Sequence, residues 1–167
     1  KPILRFANSH MDLPFMNLAN KSTFTIFSVV KASGIGTIFA EGSLTSNVPN
    51  LFTYFDASGG TGEFSAHDDS NATMDISSAS AITAGTVYIA VEKRSGSDWT
   101  NILNNTTQTV TQAIGQSTTN NTSIGSLNRL AGVTYPFNGD IAELIIFDKA
   151  LSAAEILEIQ CYLNTKY

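Results

Sequence analysis

Short runs of alternating apolar and polar residues cover most of the chain, and this pattern predicts β-strands. The two clearest runs are residues Thr23 to Val30 and Thr86 to Lys93. Gly, Asn, Pro and Ser separate such runs at intervals of about eight to twelve residues, a spacing typical of sandwiches and barrels. The pattern therefore predicts an all-β domain.

A different pattern runs from Asp140 to Phe147, where the residues on both alternating faces are apolar except Glu143. Such a run predicts a strand that is covered on both sides. Simple alternation places these side chains in two sets, Ile141, Ile145 and Phe147 on one face and Ala142, Leu144 and Ile146 on the other.

The only helical pattern follows this strand. Ser152 stands three residues before Glu155, which is the spacing of a capping box and predicts that a helix begins there. Apolar residues then recur at intervals of three and four, which indicates a face that covers other apolar surface. That face is predicted to contain Ile156, Ile159, Leu163, Cys161 and Tyr162.

Shorter segments between the strong strands predict the remaining connections. Asn104-Asn105 is typical of the left-handed residues of a tight hairpin. Residues Thr106 to Thr111 have a Thr/Gln pattern that indicates a polar strand near a sheet edge, and residues Gln116 to Ser123 are predicted to form an exposed loop. Residues Ile124 to Leu127 are then predicted to be the return strand.

The C-terminal strand and helix, together with an early strand, resemble the laminin-G-like domains of bacterial and viral proteins, in the concanavalin A-like lectin/glucanase superfamily. The C-terminal match is Gly139, an apolar Ala-Glu strand, Leu151-Ser152, and a helix that ends in Tyr162-Leu163 and Lys166-Tyr167; Phe24 to Lys31 resembles the family's early core strand. The resemblance implies one domain over residues 1–167, an antiparallel jelly-roll β-sandwich of two packed sheets and roughly a dozen strands with a single C-terminal α-helix.

Composition narrows the class of partner. Only 14% of the residues are charged and the formal net charge is -5, so the sequence lacks the basic stripe that a nucleic-acid-binding surface needs. No run reaches the ~18 apolar residues of a membrane span, and the first residues do not form a signal peptide. We interpret the chain as the C-terminal module of a longer secreted, cell-surface or virion protein, with oligomerisation left open.

Cys161 is the single cysteine, which excludes an internal disulfide and a cysteine cluster. We interpret it as a small buried apolar residue of the final helix.

The sequence offers little for catalysis. His10 and His67 lie far apart, no Gly-x-Ser-x-Gly elbow is present, and the two glutamates and one aspartate that alternate along a strand of the related glucanases are missing. Asp68-Asp69 is the one adjacent acidic pair, and its side chains point apart on an extended backbone. A non-enzyme is the favoured interpretation, and a glycoside hydrolase ranks last.

Two polar loops, residues His67 to Asn71 and the turn Ser97-Asp98-Trp99, are the predicted ligand site if they share one end of the sandwich. Carboxylates and amides hydrogen-bond sugar hydroxyls, and an aromatic ring covers the apolar face of a sugar. The candidate residues are His67, Asp68, Asp69, Asn71, Asp98 and Trp99. The alternative for each loop is a solvated turn, and the alternative for Trp99 is a core residue. Tyr135 beside Pro136 is a second candidate for an aromatic surface on which a sugar stacks. Relatives often hold calcium at such a rim, so calcium is a candidate cofactor.

The predicted function is recognition of a glycan or a protein receptor by a lectin-like or adhesion module, as in a receptor-binding element of a virus or phage. A structural role, as a spacer or an assembly domain without a ligand, is the alternative.

Overall fold

A computed structural model describes residues 1–48, 50–56, 63–68, 74–77, 81–113, 115 and 117–167, with the backbone alone at residues 56, 63–68 and 74–77. This part of the chain forms two six-stranded sheets, a two-stranded hairpin and one α-helix. The strand pairs of both sheets are antiparallel, which confirms the predicted jelly-roll sandwich. No helix of the described residues has the length and apolar character needed to cross a bilayer.

The first sheet, sheet A, contains both strong strands of the sequence pattern at its centre. Its strands in spatial order are β1 (Leu4–Ala7), β14 (Asn138–Phe147), β3 (Thr23–Ala32), β8 (Tyr88–Ser95), β9 (Asp98–Leu103) and β10 (Thr106–Thr111). The polar strand β10 lies at the edge, as its Thr/Gln pattern predicts, and Asn104 and Asn105 turn into it with φ values of 49° and 66°.

The second sheet, sheet B, packs on sheet A. Its order is β2 (Met11–Leu13), β11 (Asn121–Ile124), β4 (Gly36–Gly42), β5 (Leu51–Asp56), β6 (Glu63–Asp68) and β7 (Met74–Ser77). A hairpin of β12 (Leu127–Arg129) and β13 (Gly132–Thr134) follows β11. The predicted loop over residues 116–123 is therefore wrong from Asn121 onward, because β11 fills the gap between β2 and β4.

The core lies between the sheets, and large aromatic side chains fill it. Phe24, Phe39, Leu51 and Trp99 are fully buried in one cluster. The rings of Phe24 and Trp99 meet edge to face with centroids 5.6 Å apart, an arrangement that aromatic quadrupoles favour.

β14 is packed on both faces, but a bulge changes the predicted sets of side chains. The pairing with β3 shifts register between Ile141 and Glu143. Ile141 and Ala142 consequently exchange faces relative to simple alternation. Ile141, Leu144 and Ile146 belong to the inter-sheet clusters, whereas Ala142, Ile145 and Phe147 face the helix side.

The helix α1 (Ala153–Lys166) covers the outer face of sheet A. Ser152 Oγ accepts from the Glu155 amide and the Glu155 carboxylate accepts from the Ser152 amide, which confirms the capping box. Ile156 and Leu163 pack on Phe27, Val29 and Val91. The prediction that Cys161 is buried is wrong: its thiol and Tyr162 lie on the exposed side of α1, since the apolar stripe takes only Ile156, Ile159 and Leu163.

Candidate functional site

The outer face of sheet B carries a cluster of aromatic side chains, which we call the aromatic face and define as Phe52, Tyr54 and Tyr135. Phe52 and Tyr54 are two residues apart on β5, so they project from the same side of the sheet. Their ring centroids are 5.7 Å apart. Tyr135 stacks on Phe52 with centroids 5.9 Å apart and ring planes inclined by 15°.

Tyr135 is the most accessible ring of this face. Its side chain is 47% exposed although one side of the ring lies on Phe52. The backbone adopts a left-handed conformation with φ of 50°, and its carbonyl accepts from the Thr37 amide at 2.9 Å. A residue other than glycine in this region is uncommon, so the surrounding structure holds the ring at a set position.

The β12–β13 hairpin fixes Tyr135 above the sheet. Leu127 is fully buried against Ala40 and Phe52. A Cβ at Gly42 would lie 2.2 Å from the Asn128 carbonyl oxygen, so only glycine permits this close approach. At the far end of the hairpin, the Ala131 amide donates to Asn47 Oδ1 at 2.8 Å.

The backbone of β6 and β7 extends the aromatic face toward the sheet edge. The pairing register sets Phe52 opposite His67 and Tyr54 opposite Ser65, and His67 opposite Asp75. Directly paired residues share a face of the sheet. Polar strand positions therefore stand beside the aromatic rings.

Arg129 supplies a positive charge at the end of the hairpin. Its Nη1 donates to the Asn47 carbonyl at 3.2 Å, while its buried Nε has no hydrogen-bond partner among the described residues. The guanidinium is thus anchored at the tip of the hairpin, and its enclosed Nε is not accessible to a ligand. The aromatic rings and the polar strand positions beside them form a surface suited to a polyhydroxylated ligand.

Glu41 is a carboxylate of the same sheet but lies on its inner side. The carboxylate accepts from the Ala19 amide at 2.8 Å and from the Thr122 hydroxyl at 3.3 Å. Burial raises the pKa of Glu41, and the hydrogen bonds from backbone amides oppose that effect. Glu41 therefore stabilises the 3-10 helix Leu18–Asn20 rather than contacting a ligand.

The structure separates the predicted site residues. His67 occupies a position on the aromatic face, whereas Asp68 pairs with Leu51, whose side chain is in the core. Asp69 and Asn71 lie outside the described residues. Their roles in ligand binding stay predictions.

Asp98 and Trp99 begin β9 in the other sheet. Asp98 is exposed and its Oδ1 accepts from the Thr111 hydroxyl at 2.6 Å. The end of β6 does share an end of the sandwich with this turn, because Leu51, the partner of Asp68, packs with Trp99. Trp99 is 0% exposed, however, and the Arg94 guanidinium lies 5.1 Å from its ring centroid. A stacking role for Trp99 is corrected to a core role, since its ring has no accessible face.

The candidate calcium site stays a prediction. Among the described residues, no group of three or more His, Cys, Asp or Glu side chains is placed to hold a metal ion.

Sequence reasoning named Tyr135 as an alternative platform but missed Phe52 and Tyr54. The signal was the aromatic residue at every second position of β5, which places two rings on one face. That spacing does not reveal which face of sheet B lies outside.

Comparisons with known proteins agree on the fold. A family model of the laminin-G type, from the concanavalin A-like lectin/glucanases superfamily, matches residues 6–157. The CBM40 of the Ruminococcus gnavus IT-sialidase superposes with a TM-score of 0.79 at 16% identity, over 95% of this chain and 96% of that chain. Its complex with α2,3-sialyllactose gives a TM-score of 0.80 at 17% identity, with the same coverage.

A longer enzyme contains a similar domain. A leech intramolecular trans-sialidase superposes with a TM-score of 0.79 at 17% identity, over 95% of this chain but 27% of that chain. The curated proteins gave no match to the sequence.

Proposed function

Because the chain belongs to the laminin-G-type family of the concanavalin A-like lectin/glucanases superfamily, we propose that it is a non-catalytic carbohydrate-binding module that binds a glycan on its aromatic face. The observation that carries this proposal is the exposed ring of Tyr135, stacked on Phe52 and held by a fixed backbone. The CBM40 fold of a sialidase, seen with sialyllactose bound, supports the same ligand class.

The chemistry of the aromatic face matches a sugar ring. One side of a pyranose presents C–H groups, which pack on an aromatic surface, and its rim presents hydroxyls, which need donors and acceptors. Tyr135 offers the apolar surface, while the strand positions of β6 and β7 offer polar contacts. Because Tyr135 is already positioned, binding loses little conformational entropy.

We further propose display outside the cell, on a secreted, cell-surface or virion protein, with a glycan or a glycosylated receptor as the partner. The low charged fraction of 14% supports this assignment.

The test begins with a glycan array that carries sialylated and neutral glycans, followed by calorimetry on the best ligand. Tyr135→Ala should weaken binding about tenfold, which corresponds to ~1.4 kcal/mol of lost stacking. Tyr135→Phe should retain affinity because the ring remains.

Tyr162→Ala is the matched control, since Tyr162 on α1 is 52% exposed and lies on the other side of the sandwich. Equal affinity of Tyr135→Ala and the unmodified protein would place the glycan elsewhere. Absence of saturable binding to the array would favour the purely structural role.

A further inference from the structure

A cavity lies on the side of the sandwich opposite the aromatic face, between α1, β8 and the β9–β10 turn. Its volume is about 370 Å³, within the range of small-molecule sites. We call it the amide cavity, because amide side chains dominate its lining. The residues that define it are Val87, Asn104, Asn105, Gln160, Asn164 and Tyr167.

Gln160 is the key group of this cavity. It lies on α1 and is only 9% exposed, and its amide forms no hydrogen bond within the described part of the chain. The residue is largely buried, but its amide atoms are not enclosed by protein, so solvent satisfies them in the free protein and a ligand that displaces this solvent has to replace its hydrogen bonds. Gln160 lines the cavity, so a ligand there would satisfy two N–H donors and a carbonyl acceptor.

Asn104 and Asn105 present two further amides from a rigid turn. Both adopt left-handed backbone conformations, with φ of 49° and 66°, which fix the hairpin between β9 and β10. Asn164 adds an amide one helical turn after Gln160, on the same side of α1. Donors and acceptors therefore converge from the helix and from the turn.

Tyr167 and two aliphatic side chains form the apolar part of the wall. The Tyr167 hydroxyl donates to the Ala142 carbonyl at 3.1 Å and lies 2.8 Å from Glu143 Oε2. Burial is the main cause that raises the pKa of Tyr167, so the phenol stays protonated near neutral pH. Its ring is thus held beside Val87 and Ile89, and Val87 is 53% exposed.

We propose that the amide cavity binds one uncharged pyranose ring, as a second carbohydrate site separate from the aromatic face. The side chains that line it carry no charge, and the ammonium groups of Lys1 and Lys166 lie over the Tyr167 ring, 5.1 and 5.3 Å from its centroid, so a cationic ligand would be repelled. A wholly apolar ligand would leave Gln160 unpaired. A neutral sugar satisfies the amides with its hydroxyls, and its C–H groups pack on Val87 and Ile89.

The experiment is a titration of the isotope-labelled protein with the methyl glycosides of glucose, galactose and N-acetylglucosamine, one at a time, into the millimolar range. The side-chain amide resonances of Gln160, Asn164, Asn104 and Asn105 should shift in a saturable manner for at least one glycoside. Gln160→Met should weaken that binding about tenfold, the effect of one or two lost hydrogen bonds.

Matched variants separate this site from the aromatic face. Gln108→Met makes the same chemical change at an exposed position of β10 and should leave the dissociation constant unchanged, as should Tyr135→Ala. Asn164→Ala, at an exposed helix position, provides a second test if Gln160→Met does not fold. The proposal is overturned if none of the three glycosides shifts these amides, or if the shifts saturate equally in Gln160→Met and Asn164→Ala.

Discussion

At the scale of single residues, Glu41 connects sheet B to the chain segment before β3. Its carboxylate is fully buried and accepts from the Ala19 amide and the Thr122 hydroxyl. Glu41→Gln replaces one acceptor oxygen by an NH₂ group that faces these donors. We expect the free energy of unfolding to fall by about 1–3 kcal/mol, the cost of an unsatisfied buried donor, in urea denaturation.

The pH dependence of the same residue has a defined sign. The folded-state pKa of Glu41 is raised above its ordinary value of 4.5, so the folded state binds this proton more tightly than the unfolded state. Its contribution to stability therefore grows as the pH falls through the raised pKa toward 4.5. Glu41→Gln should lose that contribution, whereas Glu158→Gln, at an exposed position, should keep it. A parallel pH profile for all three proteins would contradict the assignment.

The burial of Trp99 and the exposure of Cys161 could not be predicted from residue type and local sequence. Trp99 follows Asp98 at a turn in the sequence. Its side chain points into the core because that face of β9 packs against Phe24. Cys161 fits a helical apolar stripe only if that stripe is wide, and the apolar contact of α1 with sheet A is made by Ile156, Ile159 and Leu163. Both outcomes depend on tertiary packing, which residue type alone does not determine.

At the scale of elements, the capping box makes α1 sensitive to one hydroxyl. Ser152 Oγ accepts from the Glu155 amide at 3.3 Å, and Glu155 Oε2 accepts from the Ser152 amide at 2.8 Å. Ser152→Ala removes the first bond and weakens the second, so we expect a loss of about 0.5–2 kcal/mol. Thermal melting monitored by circular dichroism measures it, and Thr165→Ala, at the far end of α1, is the comparison. Unchanged melting of Ser152→Ala would show that packing alone holds the helix start.

The same motif predicts an acid-sensitive helix start. The hydrogen bond from Lys149 and those from Ser152 lower the pKa of Glu155 to about 2 from 4.5. A depressed carboxyl pKa contributes stability above the unfolded value, and that contribution is lost as the pH falls from 4.5 toward 2. Glu155→Gln should show a smaller decline in melting temperature than the unmodified protein across this window. An identical decline would assign the acid sensitivity to Asp140 and Glu143, whose pKa values are also lowered.

Elements with local signals were predictable from the sequence, and the others were not. The capping box, the Asn104-Asn105 turn and the strand character of β14 depend on neighbouring residues. The bulge in β14 depends on its pairing with β3, more than a hundred residues away. The position of β11 likewise reflects a gap between β2 and β4 that only the assembled sheet contains.

At the scale of the whole molecule, α1 closes the apolar outer face of sheet A. Removal of residues 150–167 would uncover Phe27, Val29 and Val91, together with Ile145 and Phe147 of β14. Exposed apolar patches of this kind promote association. We expect the truncated protein to bind a hydrophobic dye and to elute as aggregates in size-exclusion chromatography.

Point variants supply the control for this truncation. Ile156→Ala removes a buried helix contact, whereas Leu157→Ala changes a side chain that is 58% exposed. The first should lower stability by about 2–5 kcal/mol and the second by less than about 0.5 kcal/mol. A truncated protein that stays monomeric and unfolds cooperatively would contradict the covering role of α1.

The fold as a whole could be anticipated, since strand spacing and the C-terminal pattern indicate a two-layer sandwich. The candidate site could not be anticipated, because the aromatic face combines residues of β5 with Tyr135, about eighty positions later in the sequence. Their association depends on the close approach of the β12–β13 hairpin to Gly42. Alternation along one strand identifies neither the outer face nor the hairpin that lies on it.

The position of β14 between β1 and β3 has a consequence for the order of folding. During synthesis β3 emerges well before β14, which is one of its two sheet neighbours, and in the described part of the chain β1 also pairs with β14. Pairings across such sequence separations form slowly, since the loop must close before any contact stabilises it. Sheet A therefore completes only after residue 147 leaves the ribosome, and until then β3 has β8 as its neighbour within the sheet.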